Sequence, residues 1–196
     1  MIYIFLIGEE VVKNYTNTTY AILGILTTEC NSGYSIKQFI DESLNHFWKV
    51  SYGQIYPTLK FIVQEGLAEV QSSSTAGKPD RNEYKLTTKG VETLKKWLEE
   101  PINQLPVERN ELLLKLFFGH YQSHEQTISL LQNYKQGLHH RYQTYESIEQ
   151  AILQHQHHDK NSLYWLFTLD YGKRITNAAM EWCECTLQKY VSIKED

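Results

Sequence analysis

Long hydrophobic runs are missing from this 196-residue sequence. The opening MIYIFLIGEE holds only a short apolar stretch, has no basic flank before it and runs straight into Glu9 and Glu10. A membrane span needs about 20 apolar residues and a signal peptide needs a basic start, so neither is expected. That points to the cytoplasm. Cysteine is scarce: Cys30, Cys183 and Cys185 are odd in number, and no CxxC pair with a partner pair is present. This excludes a disulfide framework or a zinc site and leaves reduced thiols. Catalytic signatures are absent too, with no glycine-rich phosphate loop, no nucleophile elbow and no carboxylate pair spaced along a shared face. Neither an enzyme nor a cofactor is expected. The histidines at 139–140 and in the tract 155–158 include adjacent residues, which point to different sides of a helix, so they read as a solvated face rather than a metal site.

Positive charge is also in short supply, because the formal net charge is −4. Nucleic-acid binders are usually basic, so the global balance is unfavourable to that class. Between Asn31 and Gly90, however, seven cations (Lys37, Lys49, Lys60, Lys78, Arg81, Lys85, Lys89) face six anions, a local balance of +1 that permits it.

What the chain does have is 41% hydrophobic content, enough for a packed core. The expected fold is mainly α. Tyr20 to Glu29 reads as a short buried helix. Ile36, Phe39, Ile40 and Leu44 recur at spacings of three and four and mark a second, amphipathic one. Ser51 with Gln54 opens a third helix as a capping box, with Ile55, Leu59 and Ile62 as its core stripe. Pro57 inside that run predicts a kink or a late start. Leu67 to Gln71 and Glu83 to Leu86 alternate like strands around the turn-forming SSSTAGKPD, and Thr87 or Thr88 caps a fourth helix with Val91, Leu94 and Leu98 inward. Helix, helix, helix, hairpin, helix is the order of a winged helix-turn-helix.

Pro101 to Pro106 interrupts every periodic pattern and marks a boundary. The reading therefore divides the chain into an N-terminal extension (1–17), a winged helix-turn-helix domain (18–100) and a helical dimerisation domain (101–196). In the last of these, Arg109 to His120 is a short apolar helix. Glu125 to about Gln154 carries a coiled-coil-like seam of Ile128, Leu131, Tyr134, Leu138, Tyr142, Tyr145, Ile148 and Ile152, and Leu163 to about Val191 closes the chain.

The run Ser51-Tyr-Gly-Gln-Ile-Tyr-Pro-Thr-Leu-Lys60, continuing to Glu65-Gly66-Leu67, resembles the third helix and turn of PadR-type transcriptional regulators, and Pro57 is part of that pattern. Gly33-Tyr34, Gly77-Lys78-Pro79 with Arg81, and Tyr84-x-Leu86-Thr87-x-x-Gly90 fit it as well. The C-terminal half, with Glu111 to Gly119, His140-Arg141 and Trp165 to Trp182, resembles the helical domain of the family's virulence-activator-like branch. Phe61 and Val63 depart from the pattern, which commonly has a basic and an acidic residue there. Asp80 and Glu83 make the wing more acidic than is usual.

The resemblance implies a regulator of transcription that binds double-stranded DNA, with the third helix in the major groove. Ser51 opens that helix. Tyr52, Tyr56 and Lys60 form a stripe flanking its core face, and Gln54 lies on the other flank. Gln54 can donate and accept at once and so suits adenine. Tyr52 and Tyr56 suit phosphates or thymine methyls, and Lys60 and Lys37 suit phosphates. The competing reading packs both tyrosines on the second helix and leaves Gln54 to the capping box alone. Lys78 and Arg81 sit on the wing, where a long cation reaches the minor groove, or else decorate a solvated hairpin end.

Specific binding requires about 4–10 kcal/mol over non-specific binding at about 1–3 kcal/mol per base pair, so one winged helix falls short and a homodimer on a pseudo-palindrome is expected. Its interface is assigned to Leu131, Tyr134, Leu138, Tyr142, Tyr145, Trp165, Leu169 and Trp182, whose apolar stripes have no obvious partner within so small a chain; the alternative is that these helices pack on each other. Fourteen tyrosines and four tryptophans leave room for a small aromatic effector, which the resemblance also implies. The rival readings are a protein–protein interaction module built on the same domain and a small-molecule sensor.

Overall fold

The computed structural model describes residues 15–73, 81–155 and 160–192. It divides into two compact units, Met1–Gln104 and Leu105–Asp196. The first is built from α1 (Asn17–Ile25), α2 (Gly33–Glu42), a short 3-10 turn at Leu44–His46, α3 (Tyr52–Gln64), β1 (Ala68–Ser73), β2 (Arg81–Leu86) and α4 (Thr88–Glu99). The strands pair antiparallel from Ala68 opposite Leu86 to Ser73 opposite Arg81. The expected order of elements is the observed one.

One apolar core joins these elements. Ile22, Leu23 and Ile25 of α1 bury against Ile36 and Ile40 of α2, Ile55, Leu59 and Ile62 of α3, Leu67 before the wing and Leu94 of α4. α1 starts earlier than the periodicity suggested, because Thr16 caps it by accepting from the Thr19 backbone N–H. The segment up to residue 17 is therefore not wholly an extension. Tyr15 stands edge-on to Tyr20 and Phe61, with ring centroids 6.1 and 5.9 Å apart, and so belongs to the packed unit. Residues 1–14 lie outside the described residues.

Two expectations are corrected here. Pro57 neither delays α3 nor interrupts it: the helix runs from Tyr52 to Gln64 with Pro57 inside. An interior proline costs about 3 kcal/mol, whereas burying Ile55, Leu59 and Ile62 returns about 1.5–3 kcal/mol each, so packing outweighs propensity. In α4, Leu94 is buried but Val91 and Leu98 are exposed, and Trp97 turns inward instead. The inner face is set by Gly90, where a Cβ would come 2.0 Å from the Leu67 carbonyl oxygen, and by Trp97, which stacks on Tyr20 at 4.6 Å.

The second unit holds α5 (Glu111–Phe117), a 3-10 turn at Gly119–Tyr121, α6 (His124–His155) and α7 (Ser162–Ser192). α6 and α7 run antiparallel, since Lys135 pairs with Glu184 and, further along α6, Glu149 pairs with Lys173 nearer the start of α7 at 2.7 Å. Leu131, Leu138 and Tyr145 of α6 are buried, as are Leu169, Thr176 and Cys183 of α7, both sets repeating every seven residues. The seam thus finds its partner within the chain. Leu131, Leu138, Tyr145 and Leu169 cannot be the surface a second copy meets, which corrects their assignment to the dimer interface. Tyr134 and Tyr142 are half-buried beside them: the Tyr134 hydroxyl accepts from Asn110 at 3.1 Å, and the Lys173 ammonium lies 5.5 Å from the Tyr142 ring centroid. No helix among the described residues is long and apolar enough to cross a membrane.

Candidate nucleic-acid interface

α3 presents two faces. Ile55, Leu59 and Ile62 are buried, while Ser51, Tyr52, Gln54, Tyr56 and Lys60 are exposed. The helix is fixed at both ends. At its start, the Gln54 side-chain oxygen accepts from the Ser51 backbone N–H at 3.0 Å and from the Ser51 hydroxyl at 2.9 Å. At its end, Gly66 adopts φ +68°, and the N–H groups of Gly66 and Leu67 donate to the carbonyls of Val63 and Ile62 at 3.0 and 2.8 Å. This is the Schellman arrangement, which a residue without a Cβ enters at low cost.

α2 supports α3 through contacts to both tyrosines. The Tyr52 hydroxyl donates to Asp41 Oδ2 at 2.6 Å, and the Lys37 ammonium lies 4.1 Å from the Tyr52 ring centroid. Asp41 Oδ1 also accepts from Asn45 Nδ2 at 3.0 Å, which holds the carboxylate in place. By accepting the Tyr52 proton, Asp41 raises that hydroxyl above the usual phenol range, with desolvation and the carboxylate's charge adding to the effect. Tyr56 rests over the first turn of α2, because a Cβ on Gly33 would come 2.7 Å from its ring. Both tyrosines therefore touch the second helix and still remain exposed, at 51% for Tyr52 and 63% for Tyr56. Packing on α2 and exposure to solvent thus coexist in the same side chains.

The wing is tied to the same frame. The Tyr84 N–H donates to the Asn31 carbonyl at 2.6 Å, and Ser32 bridges Glu83, so β2 joins the start of α2. Ser32 in turn caps α2, accepting from the Ser35 N–H at 3.2 Å. Lys89 reaches back to the Glu65 carbonyl at 2.7 Å, and Thr87 to that of Gly66 at 2.7 Å. Arg81 opens β2, while Lys78 and Asp80 lie outside the described residues. The 156–159 portion of the histidine tract lies outside them too.

Sequence reasoning set Tyr52, Tyr56 and Lys60 on one flank of α3 and Gln54 on the other, but missed the contact of Tyr52 with Asp41. Nothing in the local pattern marks it, because its link to Tyr52 spans eleven residues and two helices. The departure at Phe61 also acquires an explanation: the ring packs on Tyr15, so apolar contact replaces the charge that the resemblance led one to expect.

A helix-turn-helix carrying a hairpin wing, with a polar stripe along its third helix, defines the first unit as a winged helix. Residues 22–96 match the family model described as "Transcriptional regulator PadR-like family", and residues 108–190 match "Virulence activator alpha C-term". The two units thus match, in order, a PadR-like transcriptional-regulator domain and a virulence-activator-type C-terminal domain. Among curated proteins it is 36% identical over 101 residues to the negative transcriptional regulator PadR of Bacillus subtilis, a stretch covering 50% of this chain and 54% of that protein. The matches thus span about half the length of the curated relatives. The crystal structure of Bacillus subtilis PadR in complex with operator DNA superposes with a TM-score of 0.80 at 23% identity, covering 89% of this chain and 99% of that one. The Vibrio cholerae virulence activator AphA gives a TM-score of 0.69 at 25% identity, over 89% of this chain and 98% of that one.

Proposed function

We propose that this protein is a sequence-specific, DNA-binding transcriptional regulator that works in the cytoplasm as a homodimer on a pseudo-palindromic operator, without catalytic activity of its own. The observation that carries the proposal is α3 itself, a helix anchored on three buried aliphatic residues that turns Tyr52, Gln54, Tyr56 and Lys60 outward. Such a helix suits the major groove, where side chains meet base edges, while the wing cations Lys78 and Arg81 suit neighbouring backbone or the minor groove. The DNA complex of the Bacillus subtilis relative supports this reading, and its description as a negative regulator supports repression as the mode.

The dimer surface moves from the seam to residues the chain leaves open. Leu113, Leu114, Phe117 and Phe118 around α5 and Trp182 on α7 are exposed, Phe117 at 81%, and exposed apolar side chains clustered as they are on α5 suit an interface. Trp165, half-buried on α7, stays with this group. A small aromatic effector is part of the same proposal, supported by the Bacillus subtilis PadR structure in complex with p-coumaric acid. Release of bound DNA by phenolic acids supports the effector, and no effect on either DNA binding or melting temperature withdraws it.

The deciding test is binding to promoter fragments across a salt series. A DNA reader loses affinity steeply as salt rises, by orders of magnitude between about 50 and 200 mM for six or more phosphate contacts. Absent binding, or a flat response, favours a protein–protein interaction module instead. Lys60→Ala and Arg81→Ala should weaken binding to all sequences, whereas Gln54→Ala should relax sequence choice. Wild-type behaviour in all three variants would overturn the assignment.

A further inference from the structure

A phosphate oxygen can only accept hydrogen bonds, so a tyrosine that holds a phosphate must give it the phenolic proton. In this protein the Tyr52 proton is already committed, because Asp41 Oδ2 takes it at 2.6 Å. The acceptor also accepts from Asn45 at 3.0 Å through its other oxygen, so the carboxylate bridges two partners. The Lys37 ammonium, 4.1 Å from the ring centroid, occupies one face of the ring. What remains for a ligand is the other face and edge of the ring and the lone pairs of the phenolic oxygen.

We propose that Asp41 is a positioning residue that makes Tyr52 a hydrogen-bond acceptor, so that Tyr52 recognises an exocyclic amine on a base edge, cytosine N4 or adenine N6, rather than a phosphate. The inference rests on α3 being the recognition helix. In the major groove those two amines are the donors a base pair offers, and thymine and guanine present acceptors at the corresponding places. A hydroxyl that donates to a carboxylate is polarised and accepts more strongly in turn. The resulting element is an Asp–Tyr pair assembled across the turn, with the specificity in the tyrosine and its orientation in the aspartate.

Selection of duplexes from a random library, followed by affinities for the preferred duplex and each single-base variant at low and high salt, tests this with Tyr52→Phe, Asp41→Ala and Asp41→Asn. Tyr52→Phe and Asp41→Ala should each lose roughly fivefold discrimination, the worth of one hydrogen bond, at one and the same base pair, where wild type prefers the amine-bearing base. Asp41→Asn, whose amide oxygen still accepts from Tyr52, should keep it. Removing the charge shifts overall affinity alike in both Asp41 variants, so discrimination at that base pair is the readout. A uniform affinity loss in Tyr52→Phe with unchanged preference makes Tyr52 a phosphate contact and overturns the inference. Discrimination lost in Tyr52→Phe but kept in Asp41→Ala overturns the role of Asp41, and no change in either variant overturns both. A wild type that binds no duplex overturns the proposed function, and this inference falls with it.

Discussion

Gly90 carries a constraint that no side-chain chemistry reveals. Its missing Cβ lets α4 approach the Leu67 carbonyl, and the 2.0 Å separation a methyl would face is to backbone, which cannot rotate away. Gly90→Ala should therefore cost more than about 2 kcal/mol despite the better helix propensity of alanine, in the range of forced overpacking. Urea unfolding measures this, and a loss under half a kilocalorie would show that the contact relaxes freely. Gly33 is a softer case, since the neighbour at 2.7 Å is the exposed Tyr56 ring, which can swing aside. Gly33→Ala should leave stability nearly unchanged and alter DNA binding instead, because it moves a residue of the proposed recognition surface.

Among the elements, α3 is a compromise between its own backbone and its burial. Pro57 removes the bond that residue 57 would donate to the Gly53 carbonyl, and the helix persists because its aliphatic face is fully covered. Pro57→Ala should raise stability by about 1–2 kcal/mol, the restored helical geometry being offset in part by a freer unfolded chain. Leu59→Ala should cost about 2–5 kcal/mol by opening a cavity in the same helix. The α6–α7 pair has a pH signature. Lys135 holds the Glu184 carboxyl below the ordinary glutamate range, chiefly by its hydrogen bond and then by its charge. A depressed carboxyl stabilises the fold above its unfolded pKa and loses that contribution as pH falls through the folded one. Glu184→Gln should therefore lower the melting temperature at neutral pH and leave it nearly unchanged under acid, where wild type and variant converge. The opposite pattern, a gap that widens in acid, contradicts the pairing.

At the scale of the whole molecule, the two units have separate cores and are connected through the segment between α4 and α5, residues 100–110, which is exposed along almost its whole length. Placing an aspartate at Phe117 should leave α6 and α7 packed, because that side chain is 81% exposed, and should turn a dimer into a monomer if the α5 surface is the interface. Sedimentation reads the mass, and DNA affinity should fall together with it, because one winged helix supplies too few base contacts. A Phe117→Asp protein that stays dimeric places the interface elsewhere.

The order of elements, the capping residues of α3 and α4 and the buried stripe of α3 were legible in the sequence, because each rests on spacing within a few residues, where helical and strand periodicities act directly. Tyr52, Tyr56 and Lys60 could be placed on one exposed flank, and Gln54 on the other, for the same reason. Which face of α4 turns inward was not legible, since a close approach to Leu67 and a ring stack on Tyr20 select Trp97 over Leu98. Nor could the sequence tell whether the seam of α6 meets α7 or a second copy, because an apolar stripe has the same spacing in either case and only the antiparallel packing of the two helices decides. The link from Asp41 to Tyr52 belongs with these. It is a contact between residues of different helices, and such a contact exists only after the core has set the distance and angle at which those helices meet.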